Sequence, residues 1–447
     1  MNYTIWPCDC RTAMSLMDAD SVDAVVTDPP YGLSKEPDVA EVLRHWLAGD
    51  DYTHGGSGFM GKSWDSFVPG PAVWREAYRV LKPGGHLVAF FGTRTYDLGV
   101  MALRLAGFEI RDQLAWVFGS GFPKSHDVSK GIDRALGAER AVTPLESRPA
   151  VSGDIISYDQ RSSTERERRD EPATPEATQW QGWGTALKPA YEPIVLCRKP
   201  LSEPTVAANV LRWGTGAMNV DGCRVGDEVR VNPAAANKAG GASLNMSATG
   251  MPEGVAGREA VGRWPANLCH DGSPEVLAEF PDSKAGVQTR PKGSGGIWSD
   301  VSNDPCGPQY GDSGSAARFF YCAKASKADR NRGLDDRPEQ PSAASEFRPN
   351  HTAKAEAGED GNPYGRWAPV RNTHPTVKPS PLLQWLVRLV TPLGGTVLDP
   401  FTGSGTTGVA CAREGFLFVG CEMEDEYVPI ATARIDNAVN ARYTPDP

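Results

Sequence analysis

Apolar runs that alternate with helical patterns, at both ends of the chain, constrain the fold more than any other feature of the sequence. Near the start, two continuous apolar runs predict strands at residues 22–27 and 86–91, and helical patterns occupy residues 71–81 and 95–106. The C-terminal part repeats this order, with strands at residues 395–399 and 416–421 and helices at residues 382–390, 406–414 and 427–441. The alternation predicts an α/β fold whose parallel sheet is covered by helices on both faces.

The middle of the chain lacks this alternation. Glycine and proline are concentrated there, residues 145–180 carry a run of mixed charges, and residues 232–260 and 335–365 show little periodicity. Such composition is typical of long loops. We therefore expect one domain in two halves, residues 1–140 and 369–447, separated by an inserted region at residues 141–368.

Composition excludes several classes of protein. No apolar run reaches the ~18 residues that span a bilayer, and the N-terminus resembles no secretory signal, so a cytoplasmic protein without membrane contact is expected. The nine cysteines are scattered, and Cys269, His270, Cys306 and Cys322 lack the paired spacing of a zinc site, so neither disulfides nor a metal are expected. A net charge of -10 mildly disfavours nucleic-acid binding, although a local basic face would suffice.

The tetrapeptide Asp28-Pro29-Pro30-Tyr31 follows the first predicted strand directly. The two prolines fix the backbone and remove two N–H donors, which leaves carbonyl groups free to accept hydrogen bonds. A carboxylate, free carbonyls and an aromatic ring suit a planar group that bears an NH2. An ordinary strand-to-loop turn is the alternative, since Asp-Pro and Pro-Tyr are common in turns.

A glycine-rich turn, Asp399-Pro400-Phe401-Thr402-Gly403-Ser404-Gly405-Thr406-Thr407, leads from a strand into a helix. Such a turn allows close approach to a ligand, and the helix N-terminus favours an anion such as a carboxylate. The turn lacks the third glycine of a dinucleotide fingerprint and the Gly-Lys-Ser/Thr of a phosphate loop. About twenty residues later Glu422 ends the next strand, where an acid can accept both hydroxyls of a ribose.

Together these motifs resemble the amino-methyltransferases of DNA that act on adenine N6 or cytosine N4. Asp28–Tyr31 is similar to their catalytic motif and the turn after Asp399 to their cofactor loop. Residues 374–379 (His-Pro-Thr-Val-Lys-Pro) are similar to the segment just before that loop, beside the methionine end of the cofactor. The motif order resembles the beta arrangement of the family. The resemblance covers residues 1–135 and 370–440, and the middle resembles, more loosely, methylases of phages and prophages.

The resemblance implies a Rossmann-like fold that depends on S-adenosylmethionine (SAM), with its motifs in circularly permuted order. The implied cofactor-binding residues are Asp9, Cys10, Thr376, Lys378, Asp399, Phe401, Gly403, Ser404, Gly405, Thr406 and Glu422. Asp9 would contact the adenine amino group of SAM, and a role as N-cap of the following helix is equally compatible with the sequence. Four strand ends, at Asp9, Asp28, Asp399 and Glu422, would then share one edge of the sheet.

The implied reaction is direct methyl transfer to a base that is flipped out of double-stranded DNA. Asp28, Pro29, Pro30 and Tyr31 are the implied catalytic residues, with Tyr31 as the stacking surface, and Trp116 lines either the base pocket or only the core. Asp rather than Ser stands at position 28, and in the family that this chain resembles Asp at this position favours adenine over cytosine as the target. A protein glutamine methyltransferase and an inactive DNA-binding protein are further alternatives.

Target recognition is expected in the middle region. A local basic excess there predicts phosphate contacts by Arg318, Lys324, Lys327, Arg330 and Arg332, and a solvated polar helix is the alternative. Double-stranded DNA is the expected partner, and a homodimer and a cognate restriction nuclease are left open. The cell of a bacterium or of a phage-infected host is the expected location.

Overall fold

The fold is seen in a computed structural model that describes residues 2–33, 36–55, 63–119, 121, 125–141, 143–144, 167–168, 171–232, 258–284, 313–323, 326–340 and 371–443. The described chain forms two compact units. The larger contains the described residues of ranges 1–119, 191–340 and 369–447, and the smaller contains those of range 120–190. None of the helices in the described ranges is long and apolar enough to cross a membrane.

The N-terminal part of the larger unit alternates strands and helices, as predicted. Its elements are β1 (Tyr3–Trp6), α1 (Cys10–Ser15), β2 (Val22–Thr27), α2 (Val39–Ala48), α3 (Pro71–Val80), β3 (Leu81–Phe90), α4 (Tyr96–Leu105) and β4 (Glu109–Val117). Helix α3 begins with a proline at its first turn, where the missing N–H costs nothing. The turn predicted at residues 82–85 is a register shift within β3, with Gly84 at a φ of 79°.

The smaller unit contains α5 (Val128–Ala135), β5 (Thr143–Pro144), β6 (Glu167–Arg168) and α6 (Pro175–Gln179). Strands β5 and β6 pair antiparallel. A buried carboxylate, Asp133, holds its two helices together, because it accepts hydrogen bonds from Arg140 Nε at 2.6 Å, Ala173 N at 3.0 Å and Thr174 Oγ1 at 2.7 Å.

The remaining elements belong to the larger unit. From the middle of the chain come β7 (Tyr191–Arg198), α7 (Val206–Trp213), β8 (Val225–Asn232), β9 (Arg258–Arg263), β10 (Leu268–His270), α8 (Pro274–Ala278), β11 (Asp282–Lys284), β12 (Ser313–Ser315), β13 (Tyr321–Cys322) and α9 (Lys327–Asn331). From the C-terminal part come α10 (Ser380–Val390), β14 (Thr396–Asp399), α11 (Thr406–Glu414), β15 (Leu417–Cys421) and α12 (Val428–Tyr443).

One nine-stranded sheet organises the larger unit, in the order β1-β15-β14-β2-β3-β7-β4-β10-β13. Strand β7 pairs antiparallel with both β3 and β4, and every other pairing in this sheet is parallel. The α/β fold with a large, mainly parallel sheet is therefore confirmed. Strands β7, β10 and β13 come from the middle of the chain, so the region predicted as an insertion contributes to the sheet itself.

Both faces of the sheet are buried. Along β2, Ala24 and Val26 belong to one apolar cluster with α10 and α11, whereas Val25 belongs to a second cluster with α1, α3 and α4. This division follows the period of two in a strand. It explains why residues 22–27 read as a continuous apolar run, since a parallel strand covered on both faces has no solvent side.

The two ends of the chain meet at the centre of the sheet. Strand β14 pairs with β2 through Val397 and Leu398 opposite Ala24 and Val25. A buried carboxylate, Asp23, reinforces the junction: it accepts a hydrogen bond from Thr396 N at 2.8 Å and pairs with Lys82 Nζ at 2.6 Å. One side chain thus connects β14, β2 and β3.

Asp23→Ala should destabilise the protein by about 2–4 kcal/mol, because it leaves a largely buried lysine and a strand N–H without their partner. Urea unfolding followed by circular dichroism measures this loss. Asp51→Ala is the matched control, since it breaks the exposed ion pair of Asp51 with Arg11 and should cost less than about 1 kcal/mol. Equal losses in the two variants would contradict the role of Asp23.

Candidate active site

The turn Asp28–Tyr31, which we call the proline turn, lies at the carboxyl end of β2 and is fixed from two directions. Asp65, which is 3% exposed, accepts hydrogen bonds from Tyr31 N at 2.7 Å and Gly32 N at 3.1 Å. Thr95 Oγ1 donates to the Tyr31 carbonyl at 2.6 Å. Gly32 has a φ of 64°, and a Cβ there would lie 2.9 Å from Val68 N, so only glycine fits. The position of Asp28 relative to the ring of Tyr31 is therefore set by backbone contacts.

The two carboxylate oxygens of Asp28 have different surroundings. Oδ2 accepts a hydrogen bond from Lys378 Nζ at 2.7 Å. Oδ1 is buried and has no hydrogen-bond partner among the described residues. A buried acceptor without a partner is costly, and such atoms are typical of sites that complete their bonding with a ligand. Asp28 is thus held through one oxygen while the other remains available.

Lys378 lies between two acidic side chains. Its ammonium is 2.7 Å from Asp28 Oδ2 and 3.2 Å from Glu192 Oε2, and its side chain is 8% exposed. It also lies 5.1 Å from the ring centroids of both Tyr31 and Phe90. Burial alone would lower the pKa of Lys378, but the two carboxylates outweigh burial and raise it. The ammonium therefore stays protonated at neutral pH.

Glu192 is a site residue that the sequence reasoning missed. It lies at the start of β7, and because β7 runs antiparallel, its first residues lie at the carboxyl ends of the parallel strands. Glu192 Oε2 accepts a hydrogen bond from the Tyr31 hydroxyl at 3.0 Å. Burial, together with the charges of Asp28 and Glu192, raises the pKa of Tyr31 well above its ordinary value. The hydroxyl therefore remains a donor.

Asp399 lies at the carboxyl end of β14, next to the proline turn. Its Oδ1 accepts hydrogen bonds from Thr27 Oγ1 at 2.6 Å and Phe401 N at 3.1 Å. Burial raises the pKa of Asp399 to about 6, although the hydroxyls of Thr27 and Thr407 work against this shift. The bond to Thr27 joins the end of β14 directly to the strand that carries Asp28.

The glycine-rich turn adopts the conformation that its composition predicts. Gly403 and Gly405 have φ values of 52° and 79°. A Cβ would lie 2.8 Å from His374 Nε2 at Gly403 and 2.8 Å from Ala431 Cα at Gly405. Both positions therefore require glycine, for their backbone angles and because His374 and Ala431 approach them closely.

Glu422 directly follows β15 and lies beside this turn. Its Oε2 accepts a hydrogen bond from Gly403 N at 2.6 Å, and its Oε1 accepts one from Glu424 N at 2.8 Å. Burial raises the pKa of Glu422 to about 7, and these two backbone bonds reduce the shift only in part. The side chain is thus fixed in place, and a hydroxyl donor from a ligand would offset its burial further.

A buried arginine, Arg434 on α12, holds the next residues of the turn and was not predicted. Its Nη1 donates to Ser404 O at 2.6 Å, Ser404 Oγ at 2.9 Å and Thr406 Oγ1 at 3.1 Å. The residue is 2% exposed, and burial lowers the pKa of its guanidinium to about 10. The periodic position of Arg434 on an otherwise apolar helix face was the only hint in the sequence.

Asp9 and Cys10 follow β1 at the same edge. Asp9 caps α1, since its Oδ1 accepts hydrogen bonds from Arg11 N at 3.0 Å and Thr12 N at 3.3 Å. The carbonyl of Trp6, at the end of β1, accepts a hydrogen bond from Glu422 N at 3.0 Å. Burial raises the pKa of the Cys10 thiol to about 12, so this cysteine stays neutral.

The segment before α10 packs against the glycine-rich turn. His374 stacks on Trp64 at 6.1 Å between ring centroids and meets Tyr427 edge-on at 4.5 Å. Burial lowers the pKa of His374 to about 4, so its ring is neutral, and its Nδ1 lies 2.8 Å from the Thr376 carbonyl. Phe401 packs edge-on against Trp74 at 6.2 Å.

Some predicted residues have surroundings that differ from the expectation. Arg330 is only partly exposed, and its Nη2 donates to the carbonyls of His374 at 2.6 Å and Asn372 at 3.3 Å. Arg318 bonds to the carbonyls of Ser315 and Ser283 and lies over Phe319, so it also serves the protein itself. Charge alone does not reveal such partners in the sequence, and the predicted phosphate contacts of both residues stay a prediction.

The other basic residues of that stretch leave the prediction open. Arg332 is exposed, Lys324 lies outside the described residues, and nothing is described of the Lys327 side chain. Trp116 is 8% exposed and packs on Phe118 at 5.0 Å between centroids, as expected for a core residue. Within the described ranges no cluster of residues suited to a metal ion is found.

Comparison with known proteins identifies the family of this chain. Residues 22–433 match the model of the N6/N4 methyltransferase family, described as DNA methylase. Because the match spans most of the chain, the protein belongs to this family, and the predicted family is confirmed.

Individual relatives are similar over shorter stretches. The type II methyltransferase M2.DpnII of Streptococcus pneumoniae is 45% identical over 71 residues, which are 16% of this chain and 25% of the relative. M2.LlaDCHI of Lactococcus lactis subsp. cremoris is 42% identical over 71 residues, with the same shares. The chain thus spans about a quarter of the length of these relatives. The solved M1.HpyAVI–SAM complex is 14% identical, with a TM-score of 0.37 over 97% of this chain and all of that chain.

The raised pKa of Glu422 predicts a pH dependence of folding. The folded state keeps a proton that the unfolded chain releases near its ordinary value of 4.5, so this contribution to stability is lost as pH rises toward about 7. Glu422→Gln removes the titration. The free energy of unfolding of the variant, relative to wild type, should therefore increase by about 2–3 kcal/mol between pH 4.5 and pH 8.

Urea unfolding at both pH values measures this difference. Asp425→Asn, at an exposed position three residues away, should show no such dependence. A difference between Glu422→Gln and wild type that is the same at both pH values would show that burial does not raise the pKa of Glu422.

Proposed function

We propose that this protein transfers a methyl group from SAM to the exocyclic amino group of a base in double-stranded DNA, with adenine N6 as the favoured target. The observation that carries the proposal is Asp28 Oδ1, a buried acceptor without a partner among the described residues, in the turn Asp28–Tyr31. Membership in the DNA methylase family supports the same reaction.

The residues at the glycine-rich turn fit SAM. Gly403 and Gly405 allow close approach, the start of α11 favours a carboxylate, and Glu422 is a fixed acceptor for ribose hydroxyls. Asp9, Cys10, Thr376, Phe401, Ser404 and Thr406 complete the proposed contacts. SAM supplies an activated methyl group on a sulfonium. We also place Lys378 at the cofactor site, because its ammonium contacts Asp28.

The proposed mechanism depends on positioning and charge. Asp28 Oδ1 and the carbonyl of Pro29 accept the two N–H groups of the target amine, which directs the nitrogen lone pair toward the methyl group. Bound SAM would supply the methyl group to this nitrogen, and the proton that the nitrogen loses on methylation would pass to solvent. Tyr31 supplies the face on which the flipped base stacks, and its hydroxyl bond to Glu192 fixes the ring.

Asp28→Ala should abolish methyl transfer and leave affinity for S-adenosylhomocysteine, the uncharged product of SAM, within about twofold, because the carboxylate faces the amine. Asp399→Ala and Glu422→Ala should instead weaken SAM binding by about tenfold or more, since a hydrogen bond to a charged group contributes ~1.5–3 kcal/mol. Calorimetry with the two ligands and a methylation assay separate the two effects. Unchanged SAM affinity in both Asp399→Ala and Glu422→Ala would move the cofactor elsewhere.

Tyr31→Ala should weaken retention of the flipped base by about 1–3 kcal/mol, the usual contribution of base–aromatic stacking. Tyr31→Phe keeps the ring, loses only the bond to Glu192, and should be milder. The KM for a duplex oligonucleotide measures both. Equal effects of the two substitutions would indicate that the hydroxyl, and not the ring, matters.

Transfer of tritium from labelled SAM to duplex DNA, followed by nucleoside chromatography, tests the reaction itself. Label on N6-methyladenosine supports the proposal, and label on N4-methylcytosine selects the alternative base. Label that enters protein but never DNA would refute the assignment to DNA. A homodimer and a cognate restriction nuclease are also proposed. Sedimentation tests the first proposal, and co-purification tests the second.

A further inference from the structure

The ammonium of Lys378 has two acidic partners, and only one of them, Asp28, has a part in the proposed methyl transfer. The second, Glu192, lies 3.2 Å from the same nitrogen. Glu192 comes from the middle of the chain, and its side chain is only 22% exposed. We call Asp28, Lys378 and Glu192 the charged triad.

The number of charges in the triad bears directly on the reaction. An ion pair of Asp28 and Lys378 alone is neutral, whereas the complete triad carries one negative charge. Methyl transfer makes the amine nitrogen cationic, so a net negative site favours the transition state and a neutral one does not. In a partly buried site the effective dielectric constant is low enough for one charge to change a rate strongly.

We propose that Glu192 is a charge-balancing and positioning residue. It shares the ammonium of Lys378 so that Asp28 keeps an acceptor oxygen for the target amine and the triad keeps its negative charge. The inference rests on the proposed function. The antiparallel strand β7 would thus take part in the reaction, although no motif in its sequence indicates this.

Glu192 also accepts the hydroxyl of Tyr31, so a purely structural role has to be separated from a role of charge. Glu192→Gln does this, because the amide keeps an oxygen at the same distance along the side chain and loses only the charge. The matched control is Glu109→Gln on β4. Glu109 pairs with Arg198 Nη2 at 2.8 Å, at the opposite end of β7, so the same change is made in the same sheet away from the site.

The first experiment measures kcat for methyl transfer to duplex DNA at pH 8. This pH lies above the pKa values of Asp399 (about 6) and Glu422 (about 7), so both are mainly ionised. Glu192→Gln should lower kcat by about ten- to a hundredfold with little change in KM, and Glu109→Gln should not. Adding Lys378→Gln to Glu192→Gln restores one negative charge and should recover part of the lost rate.

A second experiment needs no DNA. Calorimetry compares SAM, whose sulfonium is cationic, with S-adenosylhomocysteine, which lacks that charge. Glu192→Gln should weaken SAM binding by about tenfold and leave S-adenosylhomocysteine binding unchanged. A merely structural role of Glu192 would change both affinities alike.

The outcomes separate this inference from the proposed function. Wild-type kcat in Glu192→Gln, or a double variant no faster than Glu192→Gln, would overturn the role of the triad. Equal loss of affinity for both ligands would overturn it as well. If the wild-type protein transfers no methyl group to DNA, the proposed function fails, and the calorimetric comparison still decides whether the triad carries the charge.

Discussion

The pairing of β14 with β2 is the contact on which the rest of the structure depends. It brings the last part of the chain between strands from the first part, and the hydrogen bond from Thr27 to Asp399 extends the junction to the edge where the site lies. Once these strands are neighbours, the carboxyl ends of β1, β15, β14 and β2 share one edge, because parallel strands end together. The glycine-rich turn and the proline turn then become adjacent although hundreds of residues separate them.

The site is maintained by side chains that bond to backbone. Asp65 holds the proline turn, Glu422 holds Gly403, and Arg434 holds Ser404. Each of these charged groups is buried and forms hydrogen bonds to main-chain atoms. These bonds fix loops that have no regular structure of their own. Function at this edge therefore also relies on Asp65 and Arg434, whose hydrogen bonds are made to the protein itself.

The amino-acid sequence predicted the strands and helices of both ends, the acids at their strand ends and the family, since periodicity and short motifs are local properties. Glu192 and Arg434 were missed because their importance comes from partners far away in the chain. Strands β10 and β13 were missed because two or three residues cannot show a period. The carbonyl partners of Arg330 were also missed, since a basic residue looks the same in sequence whether it faces solvent or a carbonyl.

The strand order also has a consequence for how the protein is made. Strand β1 has β15 as its neighbour in the sheet, and β14 and β15 together separate β1 from β2. While the ribosome is still synthesising the middle of the chain, β1 has no neighbour and β2 exposes an open edge of N–H and C=O groups. The central sheet can close only after β15 has emerged, so the edge at which Asp28 and Asp399 meet forms only once residues 417–421 have been synthesised.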